Sequence, residues 1–89
     1  MDWSVQLDDI LAAAVKMGIQ VRSEPLGGEG GGVCRVRGQT VLFLDTMADP
    51  ATQFRRTLEA MADLPGLDQE YLRPELREQI DRIRAGGSA

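Results

Sequence analysis

The sequence predicts a small α+β domain, and three observations lead to this prediction. Apolar residues recur at helical spacing in three segments, apolar and polar residues alternate in two others, and glycine or proline separates them. A chain of 89 residues has room for one hydrophobic core. We therefore expect residues 1–85 to form one domain with a helix, a three-stranded antiparallel sheet containing a β-hairpin, and two C-terminal helices. Residues 86–89 are expected to form a flexible tail.

Residues 4–17 are predicted to form an amphipathic helix followed by a strand. The apolar residues of the helix lie on one stripe: Trp3, Leu7, Ile10, Leu11 and Ala14. Gly18 can end the helix, because glycine readily adopts the left-handed conformation of C-terminal caps. Ile19 and Val21 then alternate with polar residues before Pro25, which predicts a short first strand.

The stretch VCRVRGQTVLFLD, residues 33–45, predicts the hairpin. A type II′ turn requires glycine at its first central position, so Gly38 and Gln39 are expected to form the turn. In that register Val36 pairs with Val41 and Cys34 pairs with Phe43. These four residues are then expected to lie on the core face. The opposite face carries Val33, Arg35, Arg37, Leu42 and Leu44.

Two helices are predicted after the hairpin. Asp49 can cap the first of them, and Pro50, which follows it, is suited to the first helical position. Its buried stripe is Phe54, Leu58, Met61 and Ala62, and it ends near Pro65. Residues 67–72 form at most a short helical turn, and Pro74 begins the last helix, whose apolar side is Leu72, Leu76, Ile80 and Ile83. The predicted core comprises Leu7, Leu11, Val36, Val41, Phe43, Leu58 and Met61.

Composition narrows the classes of function. The net charge of −4 disfavours nucleic acid as a partner, because phosphate contacts dominate nucleic-acid affinity. No apolar run is long enough to span a membrane. The single cysteine cannot form an internal disulfide, and the N-terminus lacks the basic and apolar regions of a secretory signal, so we expect a cytoplasmic protein. The chain contains no histidine, the commonest general base and metal ligand. We expect no cofactor and no metal.

The stretch PLGGEGGGVCRVRG contains two candidate chemical features, a glycine loop and the lone cysteine. Gly27 to Gly32 has the spacing of a phosphate-binding loop, but Val33 and Cys34 occupy the positions of its lysine and hydroxyl residues. Glu29 also adds negative charge, so the loop is interpreted as a connection into the hairpin. Cys34 is expected to be a buried apolar residue, because free cysteine is commonly buried.

An alternative function is a small thiol- or carboxylate-dependent enzyme. It would use Cys34 as a thiolate, or Asp45 and Asp49 as a general acid or as ligands of magnesium. Asp49 already has a sufficient role as a helix cap. The sequence contains no strong metal-binding spacing.

The segments KMGIQVRSEPLGG and GQTVLFLDTMADPATQFRRTLEAMADL resemble the N-terminal part of the ImmA/IrrE family of zinc metallopeptidases. That family has a helix, a GI-x-V strand, a glycine-containing loop, a hairpin and an arginine-threonine helix carrying the zinc motif. The resemblance places the two histidines and the glutamate of that motif on Ala60, Met61 and Leu64, which can neither bind zinc nor activate water. It therefore implies a related architecture without peptidase activity.

We expect a non-catalytic protein-interaction or regulatory module, either a homodimer or an adaptor for a larger protein. Its interface would be the second hairpin face, where apolar residues lie beside arginines: Val33, Arg35, Arg37, Leu42 and Leu44. The alternative is that the last helix of the chain covers the leucines of this face.

Overall fold

The structure, a computed structural model, describes residues 3–28 and 31–86, without the side chain of Trp3. The elements follow in the order α1 (Trp3–Lys16), β1 (Gln20–Glu24), β2 (Gly31–Val36), β3 (Gln39–Asp45), α2 (Pro50–Ala62), a 3-10 helix (Pro65–Gln69) and α3 (Pro74–Gly86). The predicted α+β class and the predicted order of elements are confirmed.

The sheet is mixed, and the prediction of an all-antiparallel sheet was wrong. Its strand order is β1-β3-β2, with β1 parallel and β2 antiparallel to β3. The central strand is β3, and its TVLFL run is the most apolar strand sequence of the chain. Because β1 runs parallel to β3 and ends beside Asp45, Leu26 and Gly28 lie at the carboxyl end of β3.

The hairpin turn lies one residue earlier than predicted. Arg37 and Gly38 both have positive φ angles, 52° and 80°, as a type I′ turn requires. Cys34 consequently pairs with Val41, and Val33 pairs with Leu42. The predicted pairing is wrong by two residues, and because side chains alternate with a period of two, the predicted sets of residues sharing a face are unchanged.

The hydrophobic core lies on the face opposite to the one predicted. Leu42 is completely buried and belongs to a cluster with buried residues of all three helices. Val33 and Leu44 pack against that cluster. On the other face Val41 is buried outside this cluster, while Val36 is 40% exposed. The reason is that α2 packs against β2 and β3 on the face of Leu42.

The helical predictions agree with the structure. The side chain of Asp49 accepts a hydrogen bond from the backbone N–H of Thr52 (2.9 Å), and Pro50 begins α2. The last helix packs on α2 through buried Leu76 and Ile80.

The described helices contain no segment long and apolar enough to cross a membrane. Gly86 is the last residue of α3, although the tail was predicted to begin there, and residues 87–89 lie outside the described part of the chain.

Candidate interaction surface

The sheet face opposite the helical core, here called the open face, carries a shallow apolar groove. Within the described residues, the groove has a volume of about 310 Å³ and no helical residue lines it. Its lining is Leu26, Gly31, Gly32, Val33, Cys34 and Phe43. Leu26 is 41% exposed and Val36, on the same face, is 40% exposed. The open face therefore presents apolar surface to its surroundings.

The groove exists because β2 begins with two glycines. Gly32 lies directly opposite Phe43 in the sheet and has no side chain to cover the ring. Gly31 has a φ of 86°, and a Cβ atom there would overlap the backbone carbonyl of Phe43. Because only Gly32 of the two glycines shares the face of the Phe43 side chain, its missing side chain leaves the β2 side of the ring uncovered.

Asp45 holds the loop that borders the groove. Its carboxylate is buried at the end of β3 and accepts hydrogen bonds from the backbone N–H groups of Leu26 (2.9 Å), Gly28 (2.6 Å) and Met47 (2.9 Å). Charged acceptors make short, strong hydrogen bonds to backbone donors. The carboxylate therefore positions Leu26 at the mouth of the groove. Gly30 and Glu29, part of the predicted phosphate-loop spacing, lie outside the described residues.

Charged residues lie beside the groove and at the hairpin turn, and those at the turn are arginines. Arg22 lies over the ring of Phe43, with its guanidinium carbon 5.6 Å from the ring centroid, and also pairs with Glu24 at 2.6 Å. Arg35 and Arg37 are exposed near the hairpin turn, where Nη2 of Arg35 donates a hydrogen bond to the carbonyl of Gly38 (2.8 Å). Residues 31–44 contain no acidic residue, although the chain has 14 of them.

The residues of the predicted interface are divided between the interior and the surface. Leu42 has no exposed area, and Val33 and Leu44 pack against the core, so the chain's own helices cover them. The expectation that Leu42 contacts a partner was wrong. Arg35 and Arg37 are exposed.

The candidate catalytic residues are not brought together as a reactive cluster. Cys34 is exposed on the open face, so the prediction of its burial opposite Phe43 was wrong. The carboxylate of Asp45 accepts hydrogen bonds from backbone N–H groups, while Asp49 caps α2. The hydrogen bond from the Thr52 backbone, followed by that from its hydroxyl, lowers the pKa of Asp49 below its ordinary value. No group of three histidine, cysteine, aspartate or glutamate side chains suited to a metal occurs in the described ranges.

Sequence reasoning missed the groove and the residues that form its open-face lining. The available signal was the adjacent pair Gly31 and Gly32 at the start of a strand, where missing side chains permit close approach by another molecule. The pair was interpreted only as part of a loop. Comparison with known proteins found no matching family model, no matching curated protein and no matching solved structure.

Proposed function

We propose that this chain is a non-catalytic protein-interaction module that binds a partner on the open face of its sheet. The observation that carries the proposal is the apolar groove between Leu26 and Phe43, which no described helix covers. Exposed apolar surface beside polar and charged residues is typical of protein-binding sites. Arg22, which lies over the ring of Phe43 beside the groove, would form part of the charged rim of such a site.

The two candidate catalytic carboxylates support a binding role over a catalytic one. A general acid or metal ligand needs free access to its substrate or ion. The carboxylate of Asp45 instead accepts three backbone hydrogen bonds, and Asp49 accepts two from Thr52. The entire sequence contains no histidine to serve as a base.

The resemblance to the ImmA/IrrE family is compatible with this proposal as a hypothesis of ancestry. Ala60 and Met61 lie in α2, where Met61 is completely buried, and Leu64 follows that helix. These side chains supply no zinc ligand. A chain derived from that family would therefore retain the architecture as a binding scaffold.

A matched pair of variants tests the proposed surface. The double variant Leu26→Asp with Val36→Asp places charge on the open face, and Val5→Asp with Val15→Asp makes the same addition at exposed positions of α1. Each tagged protein is used for affinity capture from the native cell. We expect the wild type and the α1 variant to retain the same proteins, and the open-face variant to lose them.

Circular dichroism and thermal melting establish that both variants are folded before capture. Equal capture by all three proteins would contradict the proposed surface. Absence of specific capture by the wild type would contradict the proposed function.

Thiol chemistry is the second candidate, because Cys34 is exposed and lines the groove. An activated cysteine reacts as its thiolate, so it would be modified rapidly at neutral pH. The test compares the rate at which a thiol reagent modifies Cys34 in the folded protein and in urea-unfolded protein. Slower reaction in the folded state favours the binding module, whereas much faster reaction favours the enzyme.

A further inference from the structure

We propose that the partner binds as an extended acidic segment that adds a fourth strand to the free edge of β2. This inference rests on the function proposed above and specifies the chemistry of the partner. Three features of β2 lead to it: its edge position, the alternation of its side chains and the charge of the hairpin.

The outer edge of β2 is available for strand addition. In the order β1-β3-β2, β2 has a strand neighbour only on the side of β3 within the described chain. The outward-pointing N–H and C=O groups of an edge strand can pair with an extended peptide, which gains affinity from main-chain hydrogen bonds.

The two faces of β2 would select different side chains in the added strand. On the open face the alternate residues of β2 are Gly32, Cys34 and Val36, and Gly32 leaves the β2 side of the Phe43 ring uncovered. On the helical face Val33 is followed by Arg35. An added strand therefore meets apolar surface with one set of alternate residues and an arginine with the other set.

Charge complementarity favours an acidic segment. Arg35 and Arg37 are exposed, and residues 31–44 contain no acidic residue. The rest of the chain is strongly acidic, since the whole molecule has a net charge of −4. A basic hairpin on an acidic molecule attracts acidic segments locally and disfavours basic ones.

Two synthetic peptides test the inference directly. One has eight residues alternating valine with glutamate, and the other replaces every glutamate with lysine. Isotope-labelled protein is titrated with each peptide and followed by NMR. We expect only the acidic peptide to shift the resonances of β2, Leu26 and Phe43. Its binding should slow hydrogen exchange at β2 amides and weaken as salt is added.

Reversing the hairpin charge provides the matched variant. Arg35→Glu with Arg37→Glu should weaken binding of the acidic peptide by about tenfold or more, the combined effect of losing exposed ion pairs and adding repulsion. The same variant should gain binding of the lysine peptide. If the double variant is not folded, Arg37→Glu alone and the salt titration of the wild type provide the comparison.

Equal binding of both peptides, or acidic-peptide binding that is insensitive to salt and to charge reversal, would overturn the inference. A chain that sediments as a dimer with β2 amides protected before peptide is added would also overturn it, because a second copy would occupy the edge. Cellular partners lost by the Leu26→Asp with Val36→Asp variant but retained after charge reversal would leave the proposed function standing and refute only the acidic strand.

Discussion

At the scale of single residues, Gly31 and Gly32 are neighbours in β2 with different steric requirements. Gly31 has a positive φ, and a side chain there would overlap the backbone of Phe43. Gly32 has neither constraint, because its φ is not positive and no atom beyond its chain neighbours lies within 4 Å of the position a Cβ would take. The close approach of β2 to β3 therefore depends on the first glycine.

Gly31→Ala is expected to destabilise the protein by about 3 kcal/mol or more, through backbone strain and displacement of β2. Gly32→Ala is the matched control and should change the free energy of unfolding by less than about 1 kcal/mol. Urea unfolding of both variants measures the difference. Equal stability of the two would show that the strand start adopts another conformation.

Asp45 is a buried charged residue that organises a loop. Asp45→Asn removes the negative charge and turns an amide N–H₂ towards at least one backbone donor, leaving that donor unpaired. We expect a loss of about 2 to 4 kcal/mol, as for buried hydrogen bonds to charged groups. Asp49→Asn is the control, because asparagine caps helices as well as aspartate does.

The midpoints of chemical unfolding of the two variants provide the measurement. A stability of Asp45→Asn equal to that of Asp49→Asn would mean that the loop does not depend on the carboxylate. Slower exchange of the Leu26 and Gly28 amides in the wild type than in Asp45→Asn would connect the stability loss to this loop.

At the scale of the elements, the hairpin turn places a non-glycine residue in the left-handed region. Arg37 has a φ of 52°, which asparagine tolerates better than arginine, and Asn-Gly is the favoured pair in type I′ turns. Arg37→Asn is therefore expected to stabilise the protein by about 0.5 to 1 kcal/mol.

Gln39→Asn makes the same type of change at an exposed, extended position of β3, where asparagine has no conformational advantage. We expect it to leave stability unchanged or lower it. Thermal melting of both variants checks the pair. A gain from Gln39→Asn without one from Arg37→Asn would favour the alternative turn at Gly38 and Gln39.

At the scale of the whole molecule, the helices cover one sheet face and leave the other open. A domain of 89 residues has a total stability of about 4 to 13 kcal/mol, so one large core deletion can remove much of it. Leu42→Ala should cost about 2 to 5 kcal/mol, because Leu42 is completely buried among helical residues.

Val36→Ala, on the open face of the same sheet, should cost less than about 1 kcal/mol. Substitutions with aspartate should distinguish the two faces more clearly. Leu42→Asp should unfold the chain, whereas Val36→Asp should leave it folded. Circular dichroism and urea unfolding measure both pairs. A folded Leu42→Asp variant would show that this side chain does not lie in the core.

The sequence by itself determined the local elements of this protein. Helical spacing predicted α1, α2 and α3, and the Asp49-Pro50 pair predicted where α2 begins, because caps and amphipathic stripes depend on residues close in the chain. The alternation of residues 33–45 predicted which hairpin residues share a face. That prediction is correct although the turn was predicted one residue too late, because a two-residue change in pairing preserves the alternation.

Only the tertiary structure decided the strand order, the core face and the exposure of Cys34. Both faces of the hairpin carry apolar residues, Val41 and Phe43 on one and Leu42 and Leu44 on the other, so local pattern does not distinguish them. The choice depends on where α2 packs, a contact between distant parts of the chain. The groove follows from the same choice, because covering the face of Leu42 leaves Gly32 and Phe43 on the face without helices.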